Sequence, residues 1–390
     1  MGPLHRRIAQ PATTPAKPPP PFKHQHIPEH TISTTTRALA TLGCTALLAT
    51  ATVACNPLGD DGPGPAAKVK NAFTKLGQQH AMTATVHLDA TADQIYTAMS
   101  GKKDFARGDA DMLAGLQLTY GVSTDKALKD ITGRDDDSIN ASVAITRNGH
   151  QPLLEARSAA NKLYARADLK DLGDLARQAD KHDGNDTDMA TLEQMARHAD
   201  ELPASMNNVK AALKGGWFTL DPDDFPDDGD SPTAELDAKE QKKVLDALSK
   251  AIASNANFKD AGKAGGADHV KATIPAKKTA QEITDTLKPL SKQLGDRFTR
   301  LSRDVRDVPE QDVTVDVAIR DGMVSGLTLD LAQFDHKIKG ELPLVVDLNG
   351  NAGKVDVPAD AKPLTPADIM AAAMFTYRDQ APAATGHARV

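Results

Sequence analysis

Cysteine is nearly absent from this chain. Of its 390 residues only Cys44 and Cys55 are cysteines. Everything after Asn56 therefore has no disulfide, no thiol nucleophile and no cysteine metal site. Aromatic residues are scarce too, at 4%, with one Trp and four Tyr. That poverty argues against base-stacking platforms and stacked-sugar clefts. The formal net charge of −7 argues against nucleic acid as a partner, because phosphate binding needs a basic face. A mean hydropathy of −0.42 excludes a polytopic membrane protein.

The signatures of catalysis are missing as well. Eight histidines follow Cys55, namely His80, His87, His150, His182, His198, His269, His336 and His387. None stands in an H-x-H or H-x-x-x-H spacing, so no local zinc site is expected. No G-x-S-x-G elbow, P-loop or dinucleotide fingerprint occurs. Ser123 and Lys126 have the S-x-x-K spacing of penicillin-binding enzymes, but no K-T-G box follows, and Ser123 is read as a cap for the segment through Leu128. Asp221, Asp223, Asp224, Asp227, Asp228 and Asp230 crowd one loop. Set against an EF-hand, Asp224, Asp228, Gly229 and Glu235 take positions one, five, six and twelve, which leaves weak calcium binding open. Pro226 occupies position three, where an oxygen ligand is required, so a solvated acidic turn is the simpler reading. Asp135, Asp136 and Asp137 read as a turn also. The expectation is a non-enzyme with no cofactor and no metal.

What is present begins with an address. Residues 1–36 are rich in Pro, Thr and His, and a segment of that kind buries too little apolar surface to offset its ordering entropy. Arg37 then precedes the uncharged run Ala38–Ala54, 17 residues diluted by four Thr. A positive flank, an apolar run and small residues are the order of a secretory signal. The run is short of the roughly 20 apolar residues that a spanning helix needs. Thr52-Val53-Ala54-Cys55 resembles the lipobox of bacterial lipoproteins, in which the Cys becomes lipid-modified and N-terminal, with Thr52 where Leu or Val is usual. Thr41-Leu42-Gly43-Cys44 is a second candidate, but cleavage there leaves an apolar run in the mature chain. An ordinary cleaved signal is the plain alternative. Asn56–Pro65 is a Gly/Pro/Asp stretch that reads as a flexible tether. From Cys55 onward 41 basic and 52 acidic residues remain, a net of −11.

The body of the chain alternates in period two. Met82, Ala84, Val86, Leu88 and Ala90 are apolar between Thr83, Thr85, His87 and Asp89, which predicts a half-buried strand. The same pattern recurs at Leu116–Val122, Ile139–Ile145, Leu153–Ser158, Leu163–Ala167, Val313–Ile319, Val324–Leu331 and Leu342–Leu348. Further strands are read at Gly215–Leu220, His269–Ile274 and Lys354–Val357. Asn148-Gly149 and Asp321-Gly322 are hairpin turn signals. Helical spacing predicts Ala66–His80, a capped helix from Thr91 to Met99, a helix capped by Asp168, helices near Met189–Leu202 and Pro203–Lys214, and long helices over Leu236–Ile252 and Thr279–Leu301. A last helix is read over Thr365–Tyr377. The two hairpins echo each other, which is compatible with two related halves or simply with two ordinary hairpins.

Cys55, the hairpins at Ala141–Ser158 and Val313–Leu331, the Leu163–Asp168 strand and the Gly216-Trp217-Phe218 strand together resemble the actinobacterial LppX/LprG lipoproteins, which share a half-barrel with LolA-type carriers. The resemblance implies an α+β fold, a curved antiparallel sheet with helices packed on its concave face. It also implies an apolar cavity for acyl chains and a palmitate-bearing anchor on the outer face of the cell membrane. On it, residues 1–54 are disordered segment and signal peptide, 55–65 lipidated Cys and tether, 66–380 one domain and 381–390 a disordered tail. Val86, Leu88, Leu118, Tyr120, Val143 and Ile145 are the expected cavity wall. Ala84, Ala90, Ala141 and Ala156 are expected to leave space beside them. The alternative is that these faces pack as plain core. Two functions follow, a tethered carrier of lipid or glycolipid, or a structural or regulatory lipoprotein binding another envelope protein.

Overall fold

A computed structural model describes residues 64–103, 105–131, 138–179, 193–221 and 238–374, apart from 369 and 373. Cys44, Cys55, the Asp135–Asp137 run and the acidic loop from 222 onward lie outside the described residues.

Among the described residues twelve strands form one open, curled sheet in the order β12-β6-β5-β4-β3-β2-β1-β11-β10-β9-β8-β7. They are β1 (Ala81–Leu88), β2 (Leu116–Ser123), β3 (Asn140–Arg147), β4 (Leu154–Ala159), β5 (Lys162–Ala167), β6 (Phe218–Leu220), β7 (Asn257–Ala264), β8 (Ala267–Pro275), β9 (Asp312–Arg320), β10 (Met323–Asp330), β11 (Pro343–Asn349) and β12 (Lys362–Pro363). All pairs are antiparallel except β6 with β12. With one face apolar and one polar on most of the strands, the α+β curved sheet expected from the sequence is what forms.

Tight turns form where the sequence signals them. Asn148 and Gly149 both have positive φ, as do Asp321 and Gly322, the conformation that such turns require. The β4–β5 turn uses Ala160 and Asn161 in the same way. Longer connections gather at the opposite end of the strands from the β4–β5, β7–β8 and β9–β10 turns. Helices α2 (Ala92–Met99) and α3 (Arg107–Gly115) follow β1, while α4 (Leu169–Ala179) and α5 (Asn207–Leu213) stand between β5 and β6. Helix α6 (Ala238–Asn255) precedes β7, and α7 (Ala276–Leu287), α8 (Ser291–Leu294) and α9 (Asp296–Asp307) follow β8.

The first helix, α1 (Pro65–Gly77), runs back across the sheet. Its Val69, Ala72, Phe73 and Leu76 pack on Val270, Val317, Val324, Leu327, Leu348 and Ala84 to make the main core. Lys68 pairs with Asp260 on β7 at 2.7 Å, and Lys75 donates to the Asp321 carbonyl at 2.6 Å. These contacts tie the helix to β7 and to the β9–β10 turn.

Several elements differ from expectation. The long helix over Thr279–Leu301 is broken: Pro289 lies in a 3-10 turn, and Gly295 takes φ 53° between α8 and α9. Its apolar face is nonetheless shared, since Ile283, Leu287, Leu290, Leu294, Phe298 and Leu301 pack together with Val244 and Ala247 of α6. Residues 354–357 form no ladder. They belong to a strap that crosses the polar sheet face, held by Val355 N–H to Ser123 Oγ at 2.9 Å and by Arg157 to the Asp356 carbonyl at 3.0 Å. Ser123 is thus a latch for the strap and does not cap the following segment; Thr124 does, accepting from the Lys126 amide at 3.3 Å. Strand β7 and helix α3 have no counterpart in the sequence reading.

Candidate functional site

Strand register collects the expected wall residues on one face. Val86, Leu118, Ile145 and Leu154 are successive cross-strand partners, and the row continues through Val346 to Leu327, Val317 and Val270. The neighbouring row runs Ala84, Tyr120, Val143, Ala156, Ala165 and Phe218. A period of two is enough to keep both rows on the same side across adjacent strands.

That face is covered unevenly. Helix α1 roofs β8 to β11 and the start of β1. At the far edge, Val209, Ala212 and Leu213 of α5 cover Phe218 and Leu220. At one strand end, Ile95, Ala98 and Ala110 of α2 and α3 pack with Leu342, and Leu88 joins them. Between these roofs, Val86, Leu118, Val143 and Ile145 are only half-buried. Tyr120 is 46% exposed, Leu154 37% and Leu163 39%. Of the six expected wall residues, five therefore line an apolar floor that the described helices leave open, and Leu88 sits in the α2–α3 core. Leu154, Leu163, Ala156 and Ala165 complete the floor. Their alternation was visible in the sequence, but nothing in it marked that side as uncovered. Ala84 leaves no space, because it is buried under α1.

The opposite face of the same strands is inverted in character. Glu155 is buried, and it accepts from Arg157 at 2.7 and 2.9 Å and from Arg166 at 2.6 and 3.0 Å. Both guanidiniums lie over the Trp217 ring, 4.7 and 4.8 Å from its centroid. Charged groups are enclosed here under the strap while apolar ones face outward. Large exposed apolar patches on a folded domain mark binding surfaces.

A cleft of about 450 Å³ adjoins the floor beyond Ala167, lined by Asp168, Leu169 and Lys170, by Asp174, Arg177, Glu193 and Arg197, and by Leu213, Lys214 and Gly215. Glu193 is buried and shared by Arg177 and Arg197. Its hydrogen bonds to Glu193 and Asp174 raise the Arg177 pKa above its usual value. Gly173 makes room for this carboxylate, since a Cβ there would stand 1.1 Å from Glu193 Oε1. None of the six expected wall residues lines the cleft. Among the described residues no group of three or more metal-ligating side chains occurs, and no helix is long and apolar enough to cross a membrane.

No family model matches the chain, and no curated protein matches it. Among solved structures it is similar to LprF from Mycobacterium bovis, at 10% identity and a TM-score of 0.32, over 78% of this chain and 100% of the other. It is also similar to the Mycobacterium tuberculosis lipoprotein LppX, at 11% identity and a TM-score of 0.29, over 76% of this chain and 100% of the other.

Proposed function

We propose that this chain is a lipoprotein, tethered through Cys55 to the outer face of the cell membrane, that binds a lipid or glycolipid on the floor between α1 and α5. One observation carries the reading: Tyr120, Leu154 and Leu163, three of the large exposed apolar side chains, lie on one sheet face around half-buried Val143, Ile145, Ala156 and Ala165. On this reading the site is an open trough. An acyl chain gains roughly 0.8 kcal/mol for each CH₂ it buries, and this surface offers it a mainly apolar seat on which the Tyr120 hydroxyl and Ser158, the register partner of Leu163, are polar.

Native against denaturing mass spectrometry of the protein purified from an actinobacterial host tests this. A lipid-sized adduct lost on denaturation is expected. A bare mass, unchanged after incubation with extracted envelope lipids, would remove the lipid reading. The openness of the trough favours a second reading, an envelope protein docked on the same floor, which that bare mass would leave in place.

A further inference from the structure

We infer that the ligand of the apolar floor is a single-chain amphiphile with an anionic head, its tail on the floor and its head at Lys170 in the adjoining cleft. This rests on the floor being a lipid site, and adds what kind of lipid it takes. The two features share a boundary. Ala167 ends the floor as the partner of Leu154, and the next three residues, Asp168 to Lys170, line the cleft. Leu213 lines the cleft and also packs with the α5 cluster that covers Phe218 and Leu220. The floor and the cleft are thus contiguous at Ala167 and Asp168.

The charges in the cleft decide the head group. Four cations line it, Lys170, Arg177, Arg197 and Lys214, with three carboxylates, Asp168, Asp174 and Glu193. Arg177 is spent on Asp174 and Glu193, and Arg197 lies 3.3 Å from Glu193. Lys214 pairs with Asp200 at 2.5 Å, and Asp168 accepts from the Asp171 amide at 3.0 Å. Among the described residues, Lys170 is left as the exposed cation of the lining without a hydrogen bond or ion pair. Lys170 is thus a cation free to pair beside an apolar surface, while the Asp168 carboxylate is engaged by a backbone amide, and such a cation matches a single anionic head on an acyl chain. A carboxylate or a phosphate monoester has that chemistry.

The test compares palmitate, hexadecanol and hexadecyltrimethylammonium on the whole protein, with lysophosphatidate to separate a phospholipid source from a free fatty acid. Palmitate is expected to bind at least about tenfold more tightly than hexadecanol, the difference a charge-assisted hydrogen bond supplies. Lys170→Gln should bring palmitate down to the level of hexadecanol and leave hexadecanol unchanged. Lys162→Gln, at the other end of β5, should change neither. Preference for lysophosphatidate or for palmitate names the source and supports the anionic head either way. Equal binding of palmitate and hexadecanol, or preference for the ammonium, would overturn the inference while leaving the floor as a lipid site. Failure of all four amphiphiles to bind would overturn both.

Discussion

Leu163 and Leu327 stand on the same face of the same sheet, but one is open and one is roofed. Leu327 is 4% exposed beneath α1, whereas Leu163 is 39% exposed. Truncating a buried leucine to alanine loses about 0.8 kcal/mol for each carbon group returned to water, plus the cost of the cavity left behind. For Leu327→Ala that comes to about 3–5 kcal/mol. For Leu163→Ala the transfer part falls to roughly 1.5 kcal/mol or less, and an open surface leaves no cavity to add. Urea unfolding measures both, with Trp217 as the single fluorescent reporter, set between Arg157 and Arg166. The midpoint should drop strongly for Leu327→Ala and slightly for Leu163→Ala at similar slope. Lipid retention should follow the reverse order, falling for Leu163→Ala and holding for Leu327→Ala. A loss of 3 kcal/mol or more at Leu163 would show that the floor is packed core and refute the binding surface.

Three other perturbations have definite outcomes. Glu155→Gln leaves two half-buried guanidiniums without their counter-ion, and should cost about 2–3 kcal/mol in urea unfolding; a change below about 0.5 kcal/mol would show that the Arg157–Glu155–Arg166 cluster stabilises nothing. Gly173→Ala improves helix propensity by roughly 1 kcal/mol but displaces the Glu193 carboxylate, so it should stabilise the protein in a Glu193→Ala background and fail to do so in the native one; additive effects in that double-mutant cycle would contradict the contact. Burial pushes the Asp335 carboxyl up, but its bonds to Lys102 and the Lys337 amide outweigh this and hold it below its usual value. Its folded pKa is thus depressed, so the Lys102–Asp335 contribution is present above about pH 4 and lost as pH falls through the folded value. The stability gap between the native protein and Lys102→Met should be seen at pH 7 and vanish in acid; a gap that widened in acid would refute the pairing.

The sheet was legible because burial on one face imposes a period of two, and strands β1 to β5 and β9 to β11 all carry it. The Thr91–Gln94 capping box and the Asp168 cap form as their spacing predicts. Strand β7 escaped notice for a physical reason. As the edge of the sheet it is almost wholly exposed, with Phe258 its one large apolar residue, and Lys259, Lys263 and a bulge between Asp260 and Gly262 blunt it against further pairing. The parallel β6–β12 contact joins two residues on each strand, too few for any pattern. Register placed Val86, Leu118, Tyr120, Val143 and Ile145 side by side, as alternation on neighbouring strands requires. Which part of that face lacks a roof depends on where α1 and α5 come to rest, and helix placement across a sheet leaves no local mark in sequence. The charged cleft was invisible for the same reason, because α4, α5 and Glu193 meet only in three dimensions.

Photo-crosslinking with a diazirine-bearing palmitate, followed by peptide mapping, tests the lipid seat most directly. Binding on the floor places labels in 116–123, 140–147 and 154–167, at Tyr120, Val143, Leu154 or Leu163 and their neighbours on that face. Labels confined to the strap side, at 352–361 or around Trp217, or spread evenly over the surface, would contradict it.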